Sequence, residues 1–385
     1  VIYNYILANM SALASDSNGN KSFSMESLAV PGVDPFFLSE TKEKQDDVFR
    51  ALFKENDSYK MKGTVEDIRK YWDVIREGYF SVLEAGACKS YHTLTHAIDV
   101  SVTCHSMLMS GAKLALHPEE RSGMVLAAFA HDVLHPGMSN GFYVVTKAAV
   151  AVKYSNKAVL ELQSIDFCLP LIKELGLFAN EKSDTLKLVE ECIAWTDMAQ
   201  HKDLVAKIEA LHPMFIESLN KAREQKNAEK REEGITKKDV ENGINVYDFL
   251  TFEQRTIFAS FLLHCADVSN LVKPWSTSQR WSVCVMYEFW AQGDVEKKLG
   301  LEISMNCDRN TVKIEKCQWG FASFVIKPLF QLFSKFMPEL GAWYLGNLQN
   351  NIDKWKAIID GKETFELVFN PPSKVGGWCE PKPRP

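Results

Sequence analysis

Along most of this chain, apolar residues return every three or four positions, and strand-like alternation of apolar and polar residues is rare. A helical side chain returns to the same face about every 3.6 residues, so this period admits helices and little else. The stretch "EKQDDVFRALFKEN" begins the pattern, and "TVEDIRKYWDVIREGYFSVLEAG" is its clearest instance. There Thr64 stands as N-cap, Asp67 follows three residues later as its reciprocal partner, and Gly86 closes the helix. The 385 residues show no internal repeat and no second composition regime, so one large, compact, all-α multi-helix domain is expected.

An N-terminal segment over 1–47, opening on the apolar "VIYNYILANMSALA", is expected to form helix and loop packed on that domain. The domain itself is expected over 48–365. Residues 366–385, with "NPPSKVGGWCEPKPRP", carry Pro and Gly but little core material and read as a flexible tail. The mixed-charge run Lys221 to Asp239, "KAREQKNAEKREEGITKKD", reads as a solvated helix end and loop.

With 46% hydrophobic and 24% charged residues the chain is globular, and a formal net charge of -6 offers no basic face for nucleic acid. Its nine cysteines are scattered without a C-x-x-C, which excludes a disulfide framework or thiolate zinc site and fits a reducing, cytoplasmic setting. No run approaches eighteen apolar residues, so no membrane insertion is expected. No signal peptide is visible either, and the start at Val1 suggests a piece of a longer protein, with any targeting module outside it.

The chemistry-bearing residues cluster. In "YHTLTHAIDV", His92 and His96 share a helical face. "AHDVLHPGMSN" repeats that spacing with His131 and His135 and adds Asp132, and Asp267 follows an apolar stretch in "HCADVSN". One buried histidine is usually a satisfied core residue, and one apolar-flanked aspartate is often a cap. Two histidine pairs with two such aspartates point instead to an oxygen and nitrogen site for divalent ions, drawn from facing helices. Imidazole and carboxylate without thiolate suit zinc, iron or manganese, and a second ion on shared carboxylate and water suits magnesium or manganese. Asp132 has two oxygens and could bridge both. That arrangement favours two-metal phosphoester hydrolysis, with ions about 3.5–4 Å apart and a bridging hydroxide as nucleophile.

The motifs "YHTLTHAIDV", "AHDVLHPGMSN", "TDMAQH", "HCADVSN", "EFWAQGDVEKKLGL" and "KCQWGF" together resemble the catalytic domain of class I cyclic nucleotide phosphodiesterases, in the same order and over roughly Val48 to Phe365. Within that family the chain is also similar to the type C branch of kinetoplastid protozoa. The resemblance implies an HD-type all-α fold and hydrolysis of 3′,5′-cyclic nucleotides, cyclic AMP and also cyclic GMP, to 5′-monophosphates, which terminates a cyclic nucleotide signal. It implies two divalent ions, zinc with magnesium or manganese, held by His96, His131, Asp132 and Asp267. His92 matches the general acid that protonates the departing O3′. His135 and Asn140 match positions that orient metal-bound water or face the phosphate, and Glu161 the acidic residue beside metal-bound water. One departure follows Glu161: where the family usually carries one or two histidines, this chain has "LQS".

The resemblance also implies a base pocket. Gln318 matches the glutamine on the purine edge, Phe321 the stacking aromatic and Val285 the apolar residue opposite. Asn270 falls where members preferring cyclic AMP carry Asn, and Met198 lines the same pocket. Read without the resemblance, Phe321, Val285 and Met198 are core residues and Gln318 a surface glutamine. Asp197 and His201 read as a helix-face pair, His264 as packed beside the Asp267 helix, and His105, His117 and His212 as structural. Gln292 and Asp294 are expected to satisfy local backbone. A general HD-type phosphohydrolase would explain the metal residues but not "CQWGF". A regulatory module with a dead site would predict the loss of a ligand or of the acid, and a diiron oxygenase would need further ligands.

Overall fold

The structure is a computed structural model that describes residues 23–53, 61–84, 89–178 and 184–366. The helix expected at the very start of the chain, Gly86 and the tail after residue 366 lie outside these. Every regular element among the described residues is helical, as the apolar period predicts. The longer ones are α1 (Lys42–Phe53), α2 (Val65–Glu84), α3 (Leu94–Met109), α4 (Pro118–Ala130), α5 (Val159–Glu174), α6 (Asp184–Ala194), α7 (His201–Gln225), α8 (Phe252–Asp267), α9 (Trp275–Lys298), α10 (Ile314–Phe321), α11 (Lys327–Phe336) and α12 (Pro338–Ile359). The Thr64 cap forms as the sequence suggests: Asp67 N donates to Thr64 Oγ1 at 3.1 Å and Thr64 N to Asp67 Oδ2 at 2.9 Å. No helix among the described residues is long and apolar enough to cross a membrane.

The axis of the fold is α3, buried from Leu94 to Leu108. A helix covered on every side must sit inside the protein, and α3 is enclosed by α4 and α8, with α6 closing against both. Polar groups on α3 are paired inside the core. Asp99 accepts from Trp281 Nε1 at 2.9 Å and pairs with Lys273, whose ammonium also donates to Thr103 at 3.1 Å. Those bonds fix α9 and the chain before it to α3. Met25, Leu28, Leu38, Val48 and Phe49 join the same apolar core, so residues preceding α2 lie against the body.

The end of α4 decides where the site forms. A helix leaves its last carbonyls without intrahelical partners. Here Tyr71 donates to Leu126 O at 2.9 Å and Tyr79 to Phe129 O at 3.0 Å, both from α2. Val133 N donates to Ala130 O at 3.0 Å and His131 Nδ1 lies 2.8 Å from Ala128 O. The chain then turns through Leu134, held at φ 65°. A non-glycine residue there costs roughly 1–3 kcal/mol, which the surrounding contacts must offset.

Two charged residues of the mixed-charge run depart from its expected solvation. Arg223 and Asp239 are buried, with Arg223 Nε and Nη2 donating to the two carboxylate oxygens at 2.9 Å each. The same guanidinium reaches the carbonyls of Arg231, Glu233 and Gly234, while Thr236 N donates to Asp239. Every polar atom of this pair thus has partners, which is what makes burial of two charges tolerable. Asp239→Ala should lower stability by about 3–5 kcal/mol, because it strands a buried guanidinium. Urea unfolding of both proteins measures the difference.

Candidate active site

Two helices finish at the place where α3 begins. α4 delivers His131 as its C-cap with Asp132 next, and α8 ends on Asp267. Helix C-termini carry partial negative charge, so the pair of ends favours a cation in front of them. His96, one turn into α3, faces both. Its Nε2 lies 2.9 Å from Asp267 Oδ1 and 3.6 Å from Asp132 Oδ2. His131 Nε2 lies 3.0 Å from Asp132 Oδ2 and 3.3 Å from Asp267 Oδ1. One atom from each of the four residues falls within 4.8 Å of all the others.

The donor set fits a metal ion. His131 Nε2 and Asp132 Oδ2 are buried and make no hydrogen bond, although they stand close together. Two buried polar atoms aimed at a common point without bonding each other need a third partner. The Nδ1–H of His131 is held by the Ala128 carbonyl, which leaves Nε2 with the lone pair a ligand needs. Burial would push both carboxylates up, yet the positive charge of the His131 ring, itself pushed well above its usual range by the same two carboxylates, holds Asp132 and Asp267 well below theirs; a metal ion would take the place of that ring's Nε2 proton.

Beside this cluster stands a second constellation around Glu288 of α9, a residue that the sequence reading passed over. Its fully buried carboxylate accepts from the backbone N–H groups of Ser90 at 2.9 Å, Tyr91 at 2.8 Å and His92 at 3.2 Å, and binds His92 Nδ1 with its other oxygen. Burial alone would lower the His92 pKa, but Glu288 and then Asp132 raise it to about 9. His92 therefore carries a proton at neutral pH with Nδ1 anchored. The His135 ring stacks on it, with centroids 3.9 Å apart and planes 23° from parallel. Burial and the neighbouring His92 charge push His135 down to about 3, and its Nδ1 accepts from Gly137 N at 3.0 Å. A cavity of about 140 Å³ opens beside His92 and His135.

The remaining expected residues fall as follows. Asn140 Nδ2 donates to Glu161 Oε2 at 2.8 Å and Asn140 Oδ1 accepts from Leu160 N at 2.9 Å, so the amide locks the acidic residue to the metal turn. Burial raises Glu161 to about 7, against the Asn140 bond and with the Asp197 charge. Gln163 and Ser164, the residues of the departure, donate to the carbonyls of Leu134 at 3.3 Å and Val133 at 3.0 Å. Gln292 does more than serve local backbone: its Oε1 accepts from Ser139 N at 2.8 Å, tying the metal-motif loop to α9. Asp294 pairs with Arg309. His264 does not reach the metal cluster; it bridges His201 at 2.9 Å and the Trp195 carbonyl at 3.1 Å.

In the base-pocket set, Gln318 is buried, not at the surface, and its Oε1 lies 3.0 Å from Ser282 Oγ across the α9–α10 seam. Val285 and Phe321 are half-buried and lie one turn beyond that bond on their respective helices. Asn270 is buried in the turn Ser269–Val272 that follows Asp267, and Met198 is exposed in the turn Met198–Gln200.

This arrangement coincides with a sequence match. The profile described as 3′5′-cyclic nucleotide phosphodiesterase covers residues 91–347, most of the chain, and the protein belongs to that family. Among curated relatives, the 3′,5′-cyclic-AMP phosphodiesterase isoform F of Drosophila melanogaster is 30% identical over 290 residues, 73% of this chain and 40% of that protein. Another 3′,5′-cyclic-AMP phosphodiesterase of the same fly is also 30% identical, and only 25% of its length is covered. The chain thus spans less than half of these relatives. The fold matches the phosphodiesterase domain of the RhoPDE fusion protein from the choanoflagellate Salpingoeca rosetta, with TM-score 0.64 and 24% identity over 91% of this chain and 98% of that one. It also matches LmjPDEB1 solved with IBMX, with TM-score 0.65 and 22% identity over 92% and 97%.

Glu288→Gln keeps the shape but removes the charge behind His92. The expected result is a lower His92 pKa, read by NMR titration of the imidazole, because Glu288 is the first of the charges that raise it.

Proposed function

We propose that this chain hydrolyses 3′,5′-cyclic nucleotides, cyclic AMP and also cyclic GMP, to 5′-nucleoside monophosphates, and so ends a cyclic nucleotide signal. One observation carries the reading: four ligand-type atoms within 4.8 Å of one another stand next to a histidine anchored by a buried carboxylate, within the stretch that matches the family. His96, His131, Asp132 and Asp267 would hold the tighter ion, and Asp132 would share its second oxygen with another. Zinc and magnesium, or manganese, suit these donors. Divalent ions bound there would polarise the phosphoryl oxygens and make water nucleophilic at neutral pH.

The chain's own residues then have separate tasks. Water adds its oxygen to phosphorus and the bond from phosphorus to O3′ breaks. His92 gives its Nε2 proton to the departing O3′, while Nδ1 stays bonded to Glu288. The carboxylate stabilises the imidazolium before transfer and returns the ring to the same orientation after it. His135, uncharged and stacked on His92, keeps the ring plane fixed without competing for the proton. Glu161, bonded to Asn140 and raised to about 7, can exchange a proton with water. Gln318 would meet the base edge and Phe321 its face, with Val285 opposite and Asn270 and Met198 at the margins.

Dual specificity draws support from Ser282. Its hydroxyl lies 2.9 Å from the Ser278 carbonyl and 3.0 Å from Gln318, and it has one proton for the two. It can donate to the amide oxygen, or turn to Ser278 and accept from the amide nitrogen. Both orientations of Gln318 therefore find a partner, and adenine and guanine require opposite ones.

Two experiments test this reading. The metal-loaded protein should hydrolyse cyclic AMP, lose activity to a chelator and regain it with zinc and magnesium. In the same assay His92→Ala should keep its metal and lose roughly 10²–10⁴-fold in kcat; chelator-insensitive or absent hydrolysis, or a fully active His92→Ala, would overturn the reading. Ser282→Ala should raise KM for both nucleotides by about 2–10-fold, the worth of one hydrogen bond. A change for one nucleotide alone would show that Ser282 fixes a single orientation.

A further inference from the structure

The place where this chain departs from its family's pattern is in contact with the turn that carries the metal ligands. Gln163 and Ser164 sit on one turn of α5, directly after Glu161 and Leu162. Ser164 is 2% exposed, and its hydroxyl donates to Val133 O at 3.0 Å; Gln163 Nε2 donates to Leu134 O at 3.3 Å. These are consecutive carbonyls of the segment between Asp132 and His135. Leu134 is the residue held at φ 65°, and His135 N closes the turn on Asp132 O at 3.0 Å. The Val133 side chain is also packed against α2, since a Cβ at Gly78 would come within 2.5 Å of it. Two donors from α5 and a steric stop from α2 therefore define the conformation of a segment that no regular element supports.

We propose that Gln163 and Ser164 are positioning residues for the metal centre: by gripping the Val133 and Leu134 carbonyls they hold the left-handed turn that aims Asp132 at His96, His131 and Asp267. The proposal rests on the metal-site reading given above. Neither residue touches the ligand atoms. Removing the donors frees two carbonyls on a strained turn, which relaxes toward ordinary backbone and carries the Asp132 carboxylate out of register.

The test measures metal affinity directly. Metal-free protein is titrated with Zn²⁺ by calorimetry, without nucleotide. Gln163→Ala with Ser164→Ala should bind Zn²⁺ roughly 10–100-fold more weakly, the usual effect of losing groups that orient ligands. Ser164→Thr, which keeps the hydroxyl, should bind within about threefold of wild type, because the carbonyl keeps its donor. In turnover assays the double variant should show lowered kcat at limiting metal, recovered at high metal, with KM for cyclic AMP unchanged. Wild-type Zn²⁺ affinity in the double variant would overturn the proposal, and so would an equal loss in Ser164→Thr. Should the double variant fail to fold, Gln163→Met removes one donor at similar volume, and unaltered affinity there overturns it equally. A wild-type protein that takes up no Zn²⁺ would instead overturn the functional reading itself.

Discussion

Everything at the site depends on the meeting of two helix ends with the beginning of a third. α4 and α8 finish against the first turns of α3, and the residues at those points are His131 with Asp132, Asp267, and His96. Partial negative charge at two C-termini and two ionised carboxylates would repel one another without a cation between them. The buried length of α3 keeps them together. The apolar enclosure from Leu94 to Leu108 holds in place a cluster whose own charges oppose its formation.

The second dependence runs through α9. This helix carries Glu288 to His92, Gln292 to Ser139, Ser282 to Gln318 and Trp281 to Asp99. It therefore joins His92, the loop at Ser139, Gln318 and the central helix through one element. A tilt of α9 would move all of these together. For a reaction in which the proton, the phosphate and the base must be in register, a single helix is a good common reference.

How much of this was legible in the sequence follows from what each signal measures. The metal residues were visible because histidine and aspartate are uncommon inside apolar helices, and the fourfold spacing placed them on faces. Glu288 was missed because a glutamate in a helix ordinarily points to water. The hint lay in its neighbours, "MYEFW", which leave it no polar face. Arg223 and Asp239 were hidden in a run of charges, where one buried pair looks like its solvated neighbours. The Thr236 to Asp239 spacing was the available signal, since that capping box requires a fixed backbone. At "LQS" the sequence could register only that histidine was missing. Which carbonyls Gln163 and Ser164 grip is a property of how α5 lies on the metal turn, and no local pattern encodes it.

The amide of Gly137 has a consequence for selectivity between ions. His92, His135 and Glu288 also bring three ligand-type atoms within 4.8 Å of one another, a trio capable in principle of trapping a transition metal. Because Gly137 N–H donates to His135 Nδ1, the ring's own proton must sit on Nε2. His92 Nδ1 is committed to Glu288 at the same time. The trio is thus poor in lone pairs directed at a common point, whereas the cluster of His96, His131, Asp132 and Asp267 is rich in them. One backbone amide thus sets the trio around His92 apart from the four-residue cluster beside it, and under the proposed function it would keep ions gathered by that cluster off His92.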